Sequence, residues 1–132
     1  MRTMLSKEGN LAMKPKIDDT EFGSITIDGD RIGHDVVIRL SGTVEKRKKK
    51  LSKAVYGTSH TVSQAEAEFI YEKGAERLII GAGQNGMVTL SEEAADYFRK
   101  KGVTVDLAPT PDAIARWNKA HGAVVGLFHV TC

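Results

Sequence analysis

From about residue 60 to its end, the sequence alternates capped helical stretches with short apolar runs, and few architectures accept that order. Ser63, with Glu66 three residues on, is a capping box that opens "QAEAEFIYEK"; Ala65 and Phe69 share a face there, and Gly74 marks the end. "RLIIG" follows, a short apolar run of the kind that parallel sheets bury. Ser91 caps "EEAADYFRKK", with acids in the first turn and bases in the last, as the helix dipole favours, and Gly102 stops it. "VTVDL" reads as a strand. Thr110-Pro111-Asp112 then opens a third helix, with proline at the first helical position, where its missing N–H costs nothing. Ala113, Ile114 and Trp117 line the buried face, Gly122 ends it, and "AVVGLFHV" is the last strand. Alternating strands and helices imply a largely parallel or mixed sheet covered by helices.

The N-terminal half has a different period. Ile25 and Ile27 alternate with Ser24 and Thr26, and Asp28-Gly29 supplies the positive-φ positions of a tight hairpin. The partner strand is placed at about residues 33–40, with Val36 and Ile38 on one face; Ser41-Gly42 turns the chain into a third short strand over 43–47. This predicts a small antiparallel β layer. Residues 1–15 show no sustained period and are expected to form a disordered N-terminal extension, with 16–132 as a single α/β domain.

Composition adds limits. A chain of 132 residues buries roughly two-thirds of its unfolded surface, so no disulfide or metal staple is needed. The lone cysteine, Cys132, cannot pair internally, which favours a reducing, cytoplasmic setting. No apolar run approaches the ~20 residues of a membrane span, and the start has no apolar signal core. Net charge is +2, but residues 45–53 hold six bases against one acid, +5, leaving the remainder at 13 against 16, or −3. A run such as "KRKKK" over 46–50 can touch phosphates. It lacks interleaved aromatics for base stacking, so a solvated loop or an edge-strand guard is the favoured reading.

The glycine stretch "GAGQNG", residues 81–86, has the literal spacing of a dinucleotide fingerprint. In that fingerprint the helix begins inside the motif, so that its free N–H groups face the pyrophosphate. Here the cap is Ser91 and "MVTL" intervenes in extended form, so dinucleotide binding is set aside, although Asp106 lies 20 residues after Gly86 where a ribose-binding acid would stand. What remains is a turn that needs glycine for positive φ, at the carboxyl end of an inner strand, where open α/β sheets bind ligands. Exposed N–H groups there, with Gln84 and Asn85, suit a small anion or a partner's carboxylate. Thr58, Ser59 and His60 form a polar entry to the helix capped by Ser63 and a second set of candidate contacts. His34 reads as solvated or locally bonded. His129 and Cys132, with His60, have the residue types of a thiol–imidazole site. Paired zinc-ligand spacing is absent.

Taken in order, "FGSITIDG" (22–29), "HDVVIRLSGTVEKR" (34–47), "YGTSHTVS" (56–63), "LIIGAGQNG" (78–86), "VDLAPTPDAIARWN" (105–118) and "HVTC" (129–132) resemble a family of small α/β proteins of unknown function. Its eukaryotic relatives include the adipogenesis-associated domain protein and a mitochondrial complex I assembly factor, and "YGTSH" and "HVTC" look most like its archaeal branch. The resemblance covers about residues 16–132. It implies a three-layer fold: a central mixed five-stranded sheet, helices on one side, and a small β layer with a further helix on the other. It implies no established reaction and no catalytic residues to carry across.

The functional expectation is a cytoplasmic, non-enzymatic module, monomeric or weakly homodimeric, that binds a protein partner or a small anion. Gly81, Gly83, Gln84, Asn85 and Gly86, with Thr58, Ser59 and His60, supply its contacts; no catalytic residue, cofactor or metal is assigned. Two alternatives are carried: a small-metabolite enzyme using Cys132 or His60, and a weak nucleic-acid binder using residues 46–50.

Overall fold

The computed structural model describes residues 14–132; the expected extension over 1–15 lies outside them except for Lys14 and Pro15. Those two residues pack on the domain. Pro15 is buried and its carbonyl accepts from Trp117 Nε1 at 2.9 Å, while Lys14 Nζ donates to the carbonyls of Trp117 and Ala120.

The chain opens with three antiparallel strands, β1 (Ile17–Glu21), β2 (Ser24–Ile27) and β3 (Asp30–Ile32), in one small sheet. Asp28 and Gly29 join β2 to β3 with φ of 48° and 84°, the two-residue turn whose twist suits a hairpin. The partner of β2 is therefore β3, and the strand expected over 33–40 is broken. At residues 33–35 the chain leaves the small sheet and enters the central one as β4 (Val36–Ile38), followed by β5 (Val44–Lys46).

A fourth helix, α1 (Lys50–Tyr56), occupies part of the lysine run where the sequence reading had a loop or edge guard. Then come β6 (Thr61–Val62), α2 (Gln64–Ile70), β7 (Arg77–Ala82), β8 (Thr89–Leu90), α3 (Glu92–Lys100), β9 (Thr104–Ala108), α4 (Thr110–Lys119) and β10 (Val124–His129). The central sheet has the order β5-β4-β10-β7-β9. β10, β7 and β9 are mutually parallel, with β9 at the edge, and β4 pairs antiparallel with both β10 and β5. β6 and β8 form a short parallel pair.

Strand alternation divides the core into two layers. Val37, Leu78, Ile80 and Leu127 face α2 and α3, meeting Ala67, Ile70, Ala94 and Phe98. Val36, Ile38, Ile79 and Phe128 face the small sheet and α4, meeting Ile25, Ile27, Ala113 and Trp117. Trp117 meets Phe128 edge to face at 5.8 Å and lies against Gly126, where an added Cβ would come within 3.0 Å of its ring. The three-layer mixed α/β arrangement is thus the one expected.

Two details of α2 differ from the sequence reading. The helix stops at Ile70 rather than Gly74, and Ala65 is exposed while Glu66, Ala67 and Ile70 form the buried face. Phe69 is half-buried, with Arg39 and Lys48 over its ring at 4.6 and 4.9 Å. The capping box is half made: Ser63 Oγ accepts from Glu66 N at 3.1 Å, but Ser63 N donates to Ser52 Oγ at 2.9 Å. The Glu66 side chain has been drawn elsewhere.

Candidate functional site

Because β4 is antiparallel to β10, its start lies at the same end of the sheet as the carboxyl ends of β10, β7 and β9, and the exit from β5 joins them. Open α/β sheets gather ligand-binding groups at this end. Arg47 follows β5 and is buried with both its partners, Glu66 and Asp35. Its Nε and Nη2 donate to Glu66 at 2.6 and 3.0 Å, its Nη1 to Asp35 Oδ2 at 3.0 Å, and its Nη2 also to the Ser59 carbonyl at 2.7 Å. The fork on Glu66 is the two-pronged geometry that a guanidinium makes and an ammonium does not. Ser52 Oγ donates to Glu66 as well, which ties α1 to α2.

Asp35 is filled by three donors. Besides Arg47, Val130 N–H reaches Oδ1 at 2.9 Å and His129 Nδ1 reaches Oδ2 at 2.7 Å. A carboxylate only accepts, so Nδ1 carries the proton, and the Thr131 hydroxyl lies 3.1 Å from Nε2. Burial alone would raise the Asp35 carboxyl, but the His129 and Val130 hydrogen bonds and the charges of His129 and Arg47 outweigh it and hold it below the ordinary range. For Arg47, burial works against the charge, and the bonds and charges of Glu66 and Asp35 more than offset it, raising its pKa.

The glycine turn sits beside this network, and its N–H groups are already used. Gln84 N donates to the Thr131 carbonyl at 2.7 Å, Asn85 N and Met87 N to the Cys132 carbonyl at 3.0 and 3.3 Å, Gly86 N to Gly83 O, and Gly83 N to Thr110 Oγ1. The cradle that the sequence suggested for an anion therefore grips the chain's own C-terminal residues. Gly83 has φ of 99°, and a Cβ there would stand 2.2 Å from the Cys132 carbonyl carbon. Gly81 is walled by Phe128 and Thr110. Gln84 Nε2 donates to Thr20 Oγ1, linking the turn to β1, and Asn85 remains exposed. β8 separates the turn from α3, whose cap is Ser91, and Asp106 pairs with Arg77 and Arg116. Neither helix nor acid takes the part a dinucleotide requires.

Thr58, Ser59 and His60 reach the same end but by different means. Ser59 gives its carbonyl to Arg47, Thr58 Oγ1 accepts from His60 N, and the His60 ring stands edge-on to His129 at 5.5 Å. Cys132 follows His129 by three residues, yet among the described residues no hydrogen bond joins its thiol to either imidazole. No group of three metal-ligating side chains forms among the described residues. The basic run is split: Lys46 is exposed on β5, Arg47 is internal, Lys48 lies over Phe69, and Lys50 begins α1.

Where the small sheet meets β5 and the C-terminal residues, a cleft of about 140 Å³ opens, lined by His34, Asp35, Lys46, Lys49 and Thr131 with Gly23 and Gly33. Among the described residues neither Lys46 nor Lys49 has an ion-pair partner. His34 bonds locally, to the Asp35 carbonyl at 2.9 Å. A larger opening of about 780 Å³ lies at the other end of the sheet around Trp117 and Val124, but its cations Lys14 and Arg39 are engaged with the carbonyl ends of α4 and α2.

The family described as proteins of unknown function, DUF498/DUF598, matches residues 17–129. The chain belongs to this family. A conserved hypothetical protein of that fold from Pyrococcus horikoshii is 34% identical, over 89% of this chain and 99% of its own, with a TM-score of 0.80. A solved protein named MT938 is also 34% identical, over 90% and 100%, with a TM-score of 0.75. A Mth938-like domain from Bordetella pertussis, at 17% identity over 98% and 91% and a TM-score of 0.58, shares the fold. The DUF498/DUF598 match thus runs from β1 to the end of β10 and takes in Asp35, Arg47, Glu66 and His129.

Sequence reasoning missed that quartet in this DUF498/DUF598 chain. Arg47 was hidden in a lysine run; its being the single arginine there was the available signal, since only a guanidinium forks onto a carboxylate. Glu66 reads locally as part of a capping box, and Asp35 only as one position in the strand expected over 33–40.

Proposed function

We propose that the protein is a binding module whose site is the cleft beside the glycine turn, and that it takes a small anion, a carboxylate or phosphate, free or carried on a protein partner. The observation that carries this reading is the placing of Lys46 and Lys49 together on one 140 Å³ cleft, without an ion-pair partner among the described residues. Asp35 also lines the cleft, but its oxygens are taken by Arg47, His129 and Val130. The mouth is left to the lysines and His34. In this reading the turn residues Gly81, Gly83, Gln84 and Gly86 act by holding Val130, Thr131 and Cys132 in place, Asn85 is free for a partner, and Thr58, Ser59 and His60 brace the network from behind. A cytoplasmic setting suits a chain with a single thiol.

Titration calorimetry with inorganic phosphate tests this. The wild type is expected to bind, with affinity falling as salt rises. The double variant Lys46→Gln/Lys49→Gln is expected to lose at least tenfold in affinity at unchanged thermal stability. Equal affinity in the double variant, or no heat with the wild type at millimolar phosphate, contradicts the reading.

A further inference from the structure

The central sheet has two open edges, and they differ. β5 is three residues long and runs into lysines, the combination that blunts an edge against pairing. β9 is five residues long, with no lysine and no proline within it. Thr104 N donates inward to Glu76 O, and the parallel ladder repeats this every second residue. The N–H and C=O groups of Val105 and Leu107 therefore face outward, and among the described residues nothing bonds them. Beside them Leu107 is 38% exposed, and a groove of about 420 Å³ runs between β9 and α3, lined by Leu90, Ala95, Arg99, Val103 and Val105.

We propose that the β9 edge receives the β9 edge of a second copy of this chain, antiparallel about a two-fold axis at Val105. That register sets Val105 against its own counterpart, places the partner's Leu107 against Val103 in the groove, and sets Asp106 against Thr104, so that the two Asp106 side chains do not oppose each other. Charge selects the second copy as occupant. α3 begins with Glu92 and Glu93 and ends with Arg99 and Lys100; α4 carries Asp112 in its first turn and Arg116 and Lys119 in its last. Arg99 and Arg116 pair with Asp96 and Asp106 of their own chain, and Lys100 and Lys119 have no ion-pair partner among the described residues. α3 precedes β9 and α4 follows it, each by a short turn, so both run antiparallel to it. The two-fold turns each helix against its copy, and on both faces acidic first turns meet basic last turns. Such an isologous contact closes on itself and makes a continuous ten-stranded sheet.

Sedimentation velocity of the full chain across a concentration series, with amide hydrogen exchange, tests the proposal. The dimer fraction is expected to rise with concentration and to fall with added salt, and the Val105 and Leu107 amides are expected to gain protection in step with it. Leu107→Lys, on an exposed position, is expected to stay monomeric at every concentration with unchanged circular dichroism and unchanged phosphate binding. A wild type that remains monomeric at millimolar concentration overturns the proposal. So does a dimer that survives Leu107→Lys, or one that leaves the Val105 and Leu107 amides unprotected.

Discussion

At the scale of single residues, the centre of this molecule is Arg47, a cation held by two carboxylates. A buried ion pair adds little over a well-packed apolar substitute, but removing one partner leaves an uncompensated charge. Arg47→Met would leave Asp35 and Glu66 buried without their common partner, and urea denaturation is expected to show a loss of about 3–5 kcal/mol. Asp35 also gives the protein an acid limit. Its folded-state pKa lies below the unfolded value, so the native state resists its protonation. The stability it contributes is full above the unfolded value of about 3.9 and is lost as pH falls through the lower folded value. Asp35→Asn is expected to be destabilised at neutral pH and to show a shallower fall of the unfolding midpoint below pH ~4. None of this was legible in the sequence, because Asp35 and His129 are 94 positions apart and no local period marks a residue whose partner is that distant.

At the scale of elements, the legible parts were those with a local physical signature. Ser91 and Ser63 cap α3 and α2 as expected, and the Asp28-Gly29 turn holds; α4 starts one residue earlier than expected, with Pro109 at the cap, Thr110 first and Pro111 second. β1 and α1 escaped because tertiary contacts make them. β1 is acidic and buries Ile17 alone, while the buried residue of α1 is Ser52, whose hydroxyl serves Glu66 and Ser63. The glycine turn was legible as a turn, but not as the clamp on the C-terminal residues. Gly83→Ala puts a Cβ into the Cys132 carbonyl at a φ that L residues avoid, and is expected to cost more than about 1 kcal/mol and to weaken phosphate binding with it. Asn85→Ala, at an exposed position on the same turn, is expected to stay within about 0.5 kcal/mol of wild type in stability. Thermal melts of the two variants, run together, separate a clamp from an ordinary loop.

At the scale of the whole molecule, the three-layer arrangement follows from one topological fact. β4 returns antiparallel beside β10, so a segment from the N-terminal half delivers Asp35, and through β5 Arg47, to the carboxyl end of the parallel strands. The helical half delivers Glu66, and the last strand delivers His129 and Thr131. Alternation and the ordered motifs made the fold readable, but the cleft is a product of assembly. The most direct test is an amide shift map of the wild type titrated with inorganic phosphate. If the cleft is the site, the Gly23, Gly33, Lys46 and Thr131 amides shift and saturate together, while those of Gln84, Asn85 and Met87, bonded to the C-terminal carbonyls, move little. Saturating shifts confined to residues 83–87, with the cleft amides unmoved, would contradict it.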